Sequence, residues 1–204
     1  MLFTYSDVEE GMQARFADYL GVDNSNLPAL RILDPTHSDM KKYIYYGNLK
    51  DLTPDHIKSF IDDFKSKKLS PHYKSERAPK DNSKPMKVVV GTTHKEMVID
   101  SDADVFIKYY APWCGHCQQM APMWEELASE LKEVKGLVIA DMDTTTNEVE
   151  GLELEGFPTL KLYLKGEKKE PLEFDGDRTP EDLKAYLKEH STAYQNYLKS
   201  KTDL

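Results

Sequence analysis

Apolar residues recur at helical spacing in three stretches of the chain: Ile57, Phe60, Ile61 and Phe64; Met120, Met123, Trp124, Leu127 and Leu131; and Leu183, Tyr186 and Leu187. Each predicts a helix that lays one face on a core. Two of the three are announced by the same dipeptide. Thr53-Pro54 and Thr179-Pro180 put a threonine where its hydroxyl caps free N–H groups and a proline at the first helical position, where its missing N–H is not needed. Shorter apolar runs at residues 2–5, 86–90, 105–110 and 137–142 predict strands, and a further helix is expected over 93–99. Strands alternating with helices predict an α/β sheet that contains parallel pairs. Pro122 falls inside the long central helix and predicts a kink. The Met120, Met123 and Trp124 stripe in that helix reads as core and not as a cofactor box.

The chain also repeats itself. Leu27-Pro28-Ala29-Leu30-Arg31-Ile32 echoes Phe157-Pro158-Thr159-Leu160-Lys161-Leu162, and Tyr43-Ile44-Tyr45-Tyr46-Gly47 echoes the segment that ends at Gly176. The stretch from Leu52 to Phe60 then echoes Arg178 to Tyr186. Three matches in order, at nearly constant separation, predict two copies of one fold. Only the second copy carries its upstream half. In the first, the strand at 2–5 would correspond to that at 137–142, and the equivalents of the earlier elements are expected before residue 1. Residues 1–68 are therefore expected to be the distal half of a domain, with Leu2, Phe3, Ile32, Leu33, Ile44 and Phe60 losing part of their burial. Residues 69–85, with Pro71, Pro79 and Pro85 among Ser, Lys, Glu and Asn, have linker composition. Residues 86–190 are expected to form a complete domain and 191–204 a tail.

Charge narrows the partners. A formal net charge of -9 opposes binding to polyanions, so no nucleic acid or anionic lipid surface is expected. Acids or bases interrupt every apolar run before it reaches the ~20 residues of a membrane-spanning helix. The first residues hold Asp7, Glu9, Glu10, Arg15 and Asp18, and so lack the basic start and apolar middle of a secretory signal peptide.

The candidate chemistry lies in the two cysteines, both within Cys114-Gly115-His116-Cys117. No third thiol exists to pair with either in a structural disulfide. A structural zinc site needs about four ligands, and only His116 and the distant His72 or His94 are available, so no metal is expected. Cys114 falls where the predicted strand at 105–110 gives way to the long helix. Its sulfur is then close to free N–H groups and the positive end of the helix dipole, which favour thiolate. Cys117 lies on the same face but inside the first turn, suited to resolving a mixed disulfide and less open to an incoming thiol. Gly115 is expected to permit a tight turn, and the His116 imidazole to stabilise the thiolate further. A stabilised reduced form makes the disulfide a better oxidant.

Tyr110-Ala111-Pro112-Trp113-Cys114-Gly115-His116-Cys117, followed by Ala121-Pro122, resembles the catalytic thioredoxin-type domain of protein disulfide isomerases, as does Gly156-Phe157-Pro158-Thr159-Leu160. The resemblance is dense over 86–190. Lys68-Leu69-Ser70-Pro71-His72 and Lys87-Val88-Val89-Val90-Gly91 resemble the join between the family's redox-inactive b′ domain and its catalytic a′ domain, and 1–68 the distal half of b′. The resemblance implies a thioredoxin-like α/β fold, one complete catalytic domain preceded by half of a second. It implies formation, reduction and rearrangement of disulfides in folding polypeptides, an oxidase or glutathione as redox partner, no cofactor, and the endoplasmic reticulum lumen. The terminal Lys201-Thr202-Asp203-Leu204 resembles the Lys-Asp-Glu-Leu retrieval signal of that compartment. Two rival readings are a client-binding chaperone module with secondary redox activity and a thioredoxin-like reductant.

By the same resemblance Pro158 is a cis-proline facing the dithiol, and the Phe157 backbone pairs with an extended substrate. Arg178 is expected to approach Cys117 and promote its ionisation; its plain reading is a solvated charge ahead of a helix. Trp113 either borders the substrate surface or packs partly into the core. One position departs from the family. A buried glutamate is usual six residues before the first cysteine, and here Lys108 stands there. The resemblance places Lys161 nearby, so two amines are expected to face each other. The proton route then runs through Lys108 as a neutral base, or through Asp141 on a neighbouring strand as the missing carboxylate.

Overall fold

A computed structural model describes residues 2–8, 10–22, 24–36 and 40–202; Asp203 and Leu204, the end of the expected retrieval signal, lie outside the described residues. The chain forms two compact units, Met1–Tyr73 and Lys74–Leu204.

The first unit holds α1 (Gly11–Tyr19), β1 (Arg31–Asp34), β2 (Lys41–Ile44) and α2 (Pro54–Lys65). β1 and β2 pair antiparallel, with Ile32 opposite Tyr43. Ile32, Tyr43 and Phe60 make its core with Leu30, Tyr45, Phe64 and Leu69, and the rings meet edge to face, Tyr43 on Phe64 and Tyr45 on Phe60. α2 starts where Thr53-Pro54 predicts, and Thr53 Oγ1 accepts the His56 N–H at 3.3 Å. The expected strand at 2–5 is absent. Among the described residues the sheet of this unit contains β1 and β2 alone, so residues 2–5 have no ladder to supply their hydrogen bonds. Leu2 and Phe3 are 91% and 70% exposed, while Ile32 and Phe60 are buried and Leu33 and Ile44 half-buried. Of the residues expected to lose burial, Leu2 and Phe3 are thus the exposed ones, and Tyr5, Met12 and Tyr46 of the same unit are exposed as well. The peptide bond before Pro28 is cis.

The second unit contains β3 (Lys87–Val88), α3 (Gly91–His94), β4 (Asp104–Tyr110), α4 (Gly115–Glu130), β5 (Leu137–Asp143), β6 (Thr159–Leu164), β7 (Glu167–Glu173), α5 (Pro180–His190) and α6 (Thr192–Thr202). A π turn over Lys95–Ile99 continues α3, so the helix expected at 93–99 is present but underwound at its end. The five strands run in the order β3-β5-β4-β6-β7. β5 is parallel to both β3 and β4, and β6 is antiparallel to β4 and β7. β4 is buried along nearly its whole length, as a central strand covered on both faces must be. Its alternate residues divide the core. Phe106 joins Met120, Trp124, Leu127, Leu160, Leu162, Leu183 and Leu187 beneath α4 and α5. Val105, Ile107 and Tyr109 face the other way, with Val89, Val98, Met142 and Tyr163.

Thr179 caps α5 in the way Thr53 caps α2. Its Oγ1 accepts the Asp182 N–H at 3.2 Å and lies 2.6 Å from Asp182 Oδ2. Thr179→Ala is expected to lower unfolding stability by about 1 kcal/mol, read as a shift of the urea midpoint at unchanged slope.

Two boundaries differ from those expected. Residues 74–76, placed in a linker from composition, are bonded to the second unit. Asn147 Oδ1 accepts the N–H groups of Glu76 and Gly91, both at 2.9 Å, while its Nδ2 donates to Glu76 Oε2 and the Asp143 carbonyl. The chain passes so close at Gly91 that a Cβ there would lie 2.9 Å from the carbonyl oxygens of Lys74 and Glu148. Residues 192–202, expected as tail, are helix α6 with Tyr194 buried. Buried Asp104 fastens its start, accepting from Ser191 Oγ at 2.6 Å and from the Ala193 and Lys165 N–H groups. Among the described residues no helix is long and apolar enough to cross a membrane.

Candidate active site

β4 delivers the chain to the cysteines. It ends at Tyr110, and a turn closed by the Cys114 N–H on the Ala111 carbonyl at 3.0 Å leads into α4. Cys114 is the N-cap of that helix, and Cys117 is its third residue, as the strand-to-helix reading requires. Both thiols are free; Cys114 is partly exposed and Cys117 buried. The Cys114 thiol is held below its ordinary value, chiefly by hydrogen bonds from Cys117, with the His116 N–H and the Arg178 charge adding. Burial pushes the Cys117 thiol up, its hydrogen bond with Cys114 adds to that, and the charge of Lys108 works in the opposite direction. The two sulfurs are therefore unequal at neutral pH. The outer one is the better nucleophile, and the inner one keeps its proton longer.

Opposite the dithiol, the peptide bond from Phe157 to Pro158 is cis. The Cys114 thiol donates to the Phe157 carbonyl at 3.5 Å, so the sulfur faces the backbone expected to receive an extended substrate. Trp113 is 72% exposed and meets only the edge of Phe157, ring centroids 6.0 Å apart, which places it at the surface beside Cys114 and not in the core. His116 is exposed on the first turn. Arg178 donates to the Pro158 carbonyl at 3.0 Å, and its charge adds to the lowering of the Cys114 thiol. Gly115 is not needed for a turn. It starts α4 without a positive φ, and a Cβ there would meet nothing within 4 Å. Among the described residues no group of three or more His, Cys, Asp or Glu is arranged to hold a metal ion.

A family model for thioredoxin matches residues 85–189. The chain belongs to the thioredoxin family. It is 37% identical over 188 residues to the protein disulfide-isomerase of Gallus gallus, covering 92% of this chain and 36% of that protein. It is 40% identical over 187 residues to the protein disulfide-isomerase of Aspergillus niger, covering 90% and 36%. Against protein disulfide-isomerase A4 of Homo sapiens it is 45% identical over 146 residues, covering 70% and 23%. The chain spans 36% of the length of the Gallus gallus relative.

Within this thioredoxin-family unit, the departure at Lys108 resolves into an ion pair. Lys108 is opposite Asp141 in the parallel register of β4 and β5, and its Nζ lies 3.6 Å from Asp141 Oδ2, both side chains buried. Lys161 does not face it. That residue pairs with Ile107 across β4 and β6, and so belongs to the opposite side of the sheet, where its Nζ meets Glu173 at 3.7 Å and the Glu153 carbonyl. The expectation of two opposed amines fails because strand alternation sends them to different faces. Tyr110, within the motif but not singled out from sequence, lies under the Lys108 ammonium at 5.0 Å. Burial and the nearby carboxylates push its hydroxyl up to about 12. Burial also raises the Asp141 carboxyl, against the pull of Lys108.

Proposed function

We propose that the chain catalyses thiol-disulfide exchange in folding proteins through Cys114-Gly115-His116-Cys117. The observation that carries this reading is the inequality of the two sulfurs, a partly exposed thiol of lowered pKa at a helix N-cap and a buried partner one turn inside. The Cys114 thiolate attacks one sulfur of a substrate disulfide, that S–S bond breaks, and the departing substrate sulfur takes up a proton. The mixed disulfide is then resolved in one of two ways. Attack by Cys117 on the Cys114 sulfur releases the second substrate thiol and leaves a Cys114–Cys117 disulfide, a net reduction of substrate. Attack by another substrate thiol rearranges the pairing and returns the enzyme dithiol. Run backwards from the disulfide, the same steps oxidise a substrate dithiol. Trp113, the Phe157 carbonyl and Pro158 border the surface on which the polypeptide would lie. The substrates are polypeptides carrying thiols or disulfides, re-equilibrated by an oxidase or glutathione, in the endoplasmic reticulum lumen. No metal or organic cofactor enters any step.

The test is recovery of a client protein with scrambled disulfides in a glutathione buffer. Native pairings are expected to return several times faster with the chain than without it. Equal rates would exclude isomerisation, and a redox titration of the dithiol then separates a strongly reducing thioredoxin-like role from an oxidising one.

The exposed apolar side chains of Leu2, Phe3, Tyr5 and Met12 favour a second role, holding unfolded chains. It predicts suppression of client aggregation that persists when both cysteines are replaced by serine.

A further inference from the structure

The sheet of the first unit has one covered edge and one open edge. The Tyr45 N–H donates to the Leu30 carbonyl at 3.1 Å, so in the antiparallel register Leu30, Ile32 and Asp34 are the positions that bond across to β2. The backbone groups of Arg31 and Leu33 therefore point the other way. On β2 the outward-facing Lys42 has a backbone partner, its carbonyl accepting the His72 N–H at 2.7 Å. Arg31 and Leu33 have none. Among the described residues no strand lies beyond β1, and no backbone hydrogen bond reaches their N–H or C=O groups.

The internal repeat shows what such an edge receives. Pro28 corresponds to Pro158, which aligns Arg31 and Leu33 with Lys161 and Tyr163 of β6. Those two are opposite Ile107 and Val105 of β4, an antiparallel neighbour on the side away from β7. The Arg31 side chain is unmet as well. Its Nε is buried without a hydrogen-bond partner, and its Nη1 donates to the carbonyl of neighbouring Leu30. Burial lowers the guanidinium, and the group opposing that is the Tyr46 hydroxyl, not a carboxylate.

The complementary need lies in the same unit. Residues 2–7 belong to no helix or strand, and Leu2, Phe3, Tyr5 and Asp7 are exposed. Leu2-Phe3-Thr4-Tyr5 has strand composition, and Asp7 follows it with a carboxylate. Laid antiparallel on β1 with Asp7 opposite Arg31, the segment puts Tyr5 opposite Leu33 and Phe3 opposite Pro35. Asp7 and Tyr5 then supply the backbone partners that Arg31 and Leu33 lack, and the carboxylate meets the half-buried guanidinium. A shift that sets Tyr5 opposite Arg31 loses this charge match.

We infer that two copies of the chain exchange these segments, residues 2–7 of each adding as an antiparallel strand to the open edge of β1 in the other. Within one chain the segment and the edge are unpaired, so the second copy supplies the strand. Reciprocal exchange is two-fold and closed, and it leaves no open β1 edge for further growth. It also doubles the contact, since one short strand is small beside the ~1,200 Å² of a stable interface. The cysteines take no part, so the inference is independent of the redox reading.

Sedimentation equilibrium of the reduced full chain between about 1 μM and about 500 μM is expected to show monomer and dimer in exchange. Tyr5→Pro removes a ladder N–H at an exposed position outside any helix or strand. It is expected to weaken the dimer at least about tenfold, because each of the two exchanged strands loses a hydrogen bond. Asp7→Arg places like charges opposite each other and is expected to weaken it by a similar factor. Amide hydrogen exchange reads the same contact without substitution. The Arg31 and Leu33 N–H groups are expected to gain at least about tenfold protection from the dilute to the concentrated end, and those of Ile32 and Asp34, already bonded to β2, much less. A chain that stays monomeric throughout would overturn the inference, as would a dimer indifferent to both substitutions or an open series of larger oligomers. Full protection of Arg31 and Leu33 in the dilute monomer would mean that each chain covers its own edge, and would overturn it too. So would protection by an added unfolded client without any dimer, which would assign the edge to clients.

Discussion

Cys114→Ser is expected to lower disulfide exchange by at least about 10³-fold, because it removes the only thiol that is both accessible and poised as thiolate. Cys117→Ser should behave differently. First attack proceeds, but the inner sulfur that resolves the adduct is gone, so the mixed disulfide accumulates as a species retarded on non-reducing gels and cleared by added thiol. Cys114→Ser should change the unfolding free energy, read from the urea midpoint at unchanged slope, by no more than about 0.5 kcal/mol, since Cys114 is a partly exposed free thiol and no disulfide is lost. Retained exchange in Cys114→Ser alongside complete loss in Cys117→Ser would reverse the assignment of roles. Refolding assistance that survives replacement of both would favour the chain-holding role.

Acid should destabilise the second unit through a group far from that chemistry. His94 is buried on the other side of the sheet, its Nε2 2.7 Å from the Tyr109 hydroxyl, which lies 3.0 Å from that of Tyr163. Its Nδ1 has no hydrogen-bond partner. Burial lowers the imidazole to about 4 from an ordinary 6.5. The folded value lies below the unfolded one, so the native state prefers the neutral ring. Its contribution is complete above pH 6.5 and is lost as pH falls toward 4. A displacement of that size corresponds to roughly 3 kcal/mol. Urea titrations of wild type and His94→Gln at intervals from pH 7 to 4.5 check this. The variant is expected to be less stable at pH 7 but to lose less on acidification, so the two curves converge. Parallel curves would remove His94 as the cause.

The parts of this fold that were legible in the sequence are those specified locally. The Thr-Pro starts at Thr53 and Thr179 mark two helices because capping needs only the residue itself and the N–H groups next to it. The strand before Cys114 and the helix after it show in the change from a continuous apolar run to helical spacing. What escaped depends on partners distant in sequence. The stretch at 2–5 has strand-like composition, but a strand needs a neighbour, and none of the described residues pairs with it. α1 carries little signal in the sequence because its apolar residues Met12 and Phe16 are exposed and sit in no strong stripe. The site shows the same division. The place of Cys114 at the helix start and the cis bond at Pro158 follow from the motif and the family resemblance, whereas the motif leaves Trp113 open between surface and core. Asp141 is offered by the sequence as a carboxylate on a neighbouring strand, but that it pairs with Lys108 while Lys161 faces the other way follows from strand register, which no local pattern encodes. Glycine at position 115 suggests a special backbone angle, and the helix start imposes none.

Asn147 changes where the second unit can be cut. A gene fragment begun at residue 85 or 86, as the composition of the preceding stretch invites, would contain every strand and helix of the catalytic unit yet discard Lys74, Ser75 and Glu76. The Asn147 side chain would then lose the Glu76 N–H and carboxylate, and Glu148 would lose both backbone partners on Lys74, leaving buried polar groups to find water beside Gly91. That loop follows β5, the strand that carries Asp141, so such trimming would loosen the molecule on the side of the buried pair. Excised after Tyr73, the unit keeps its strap and its seal.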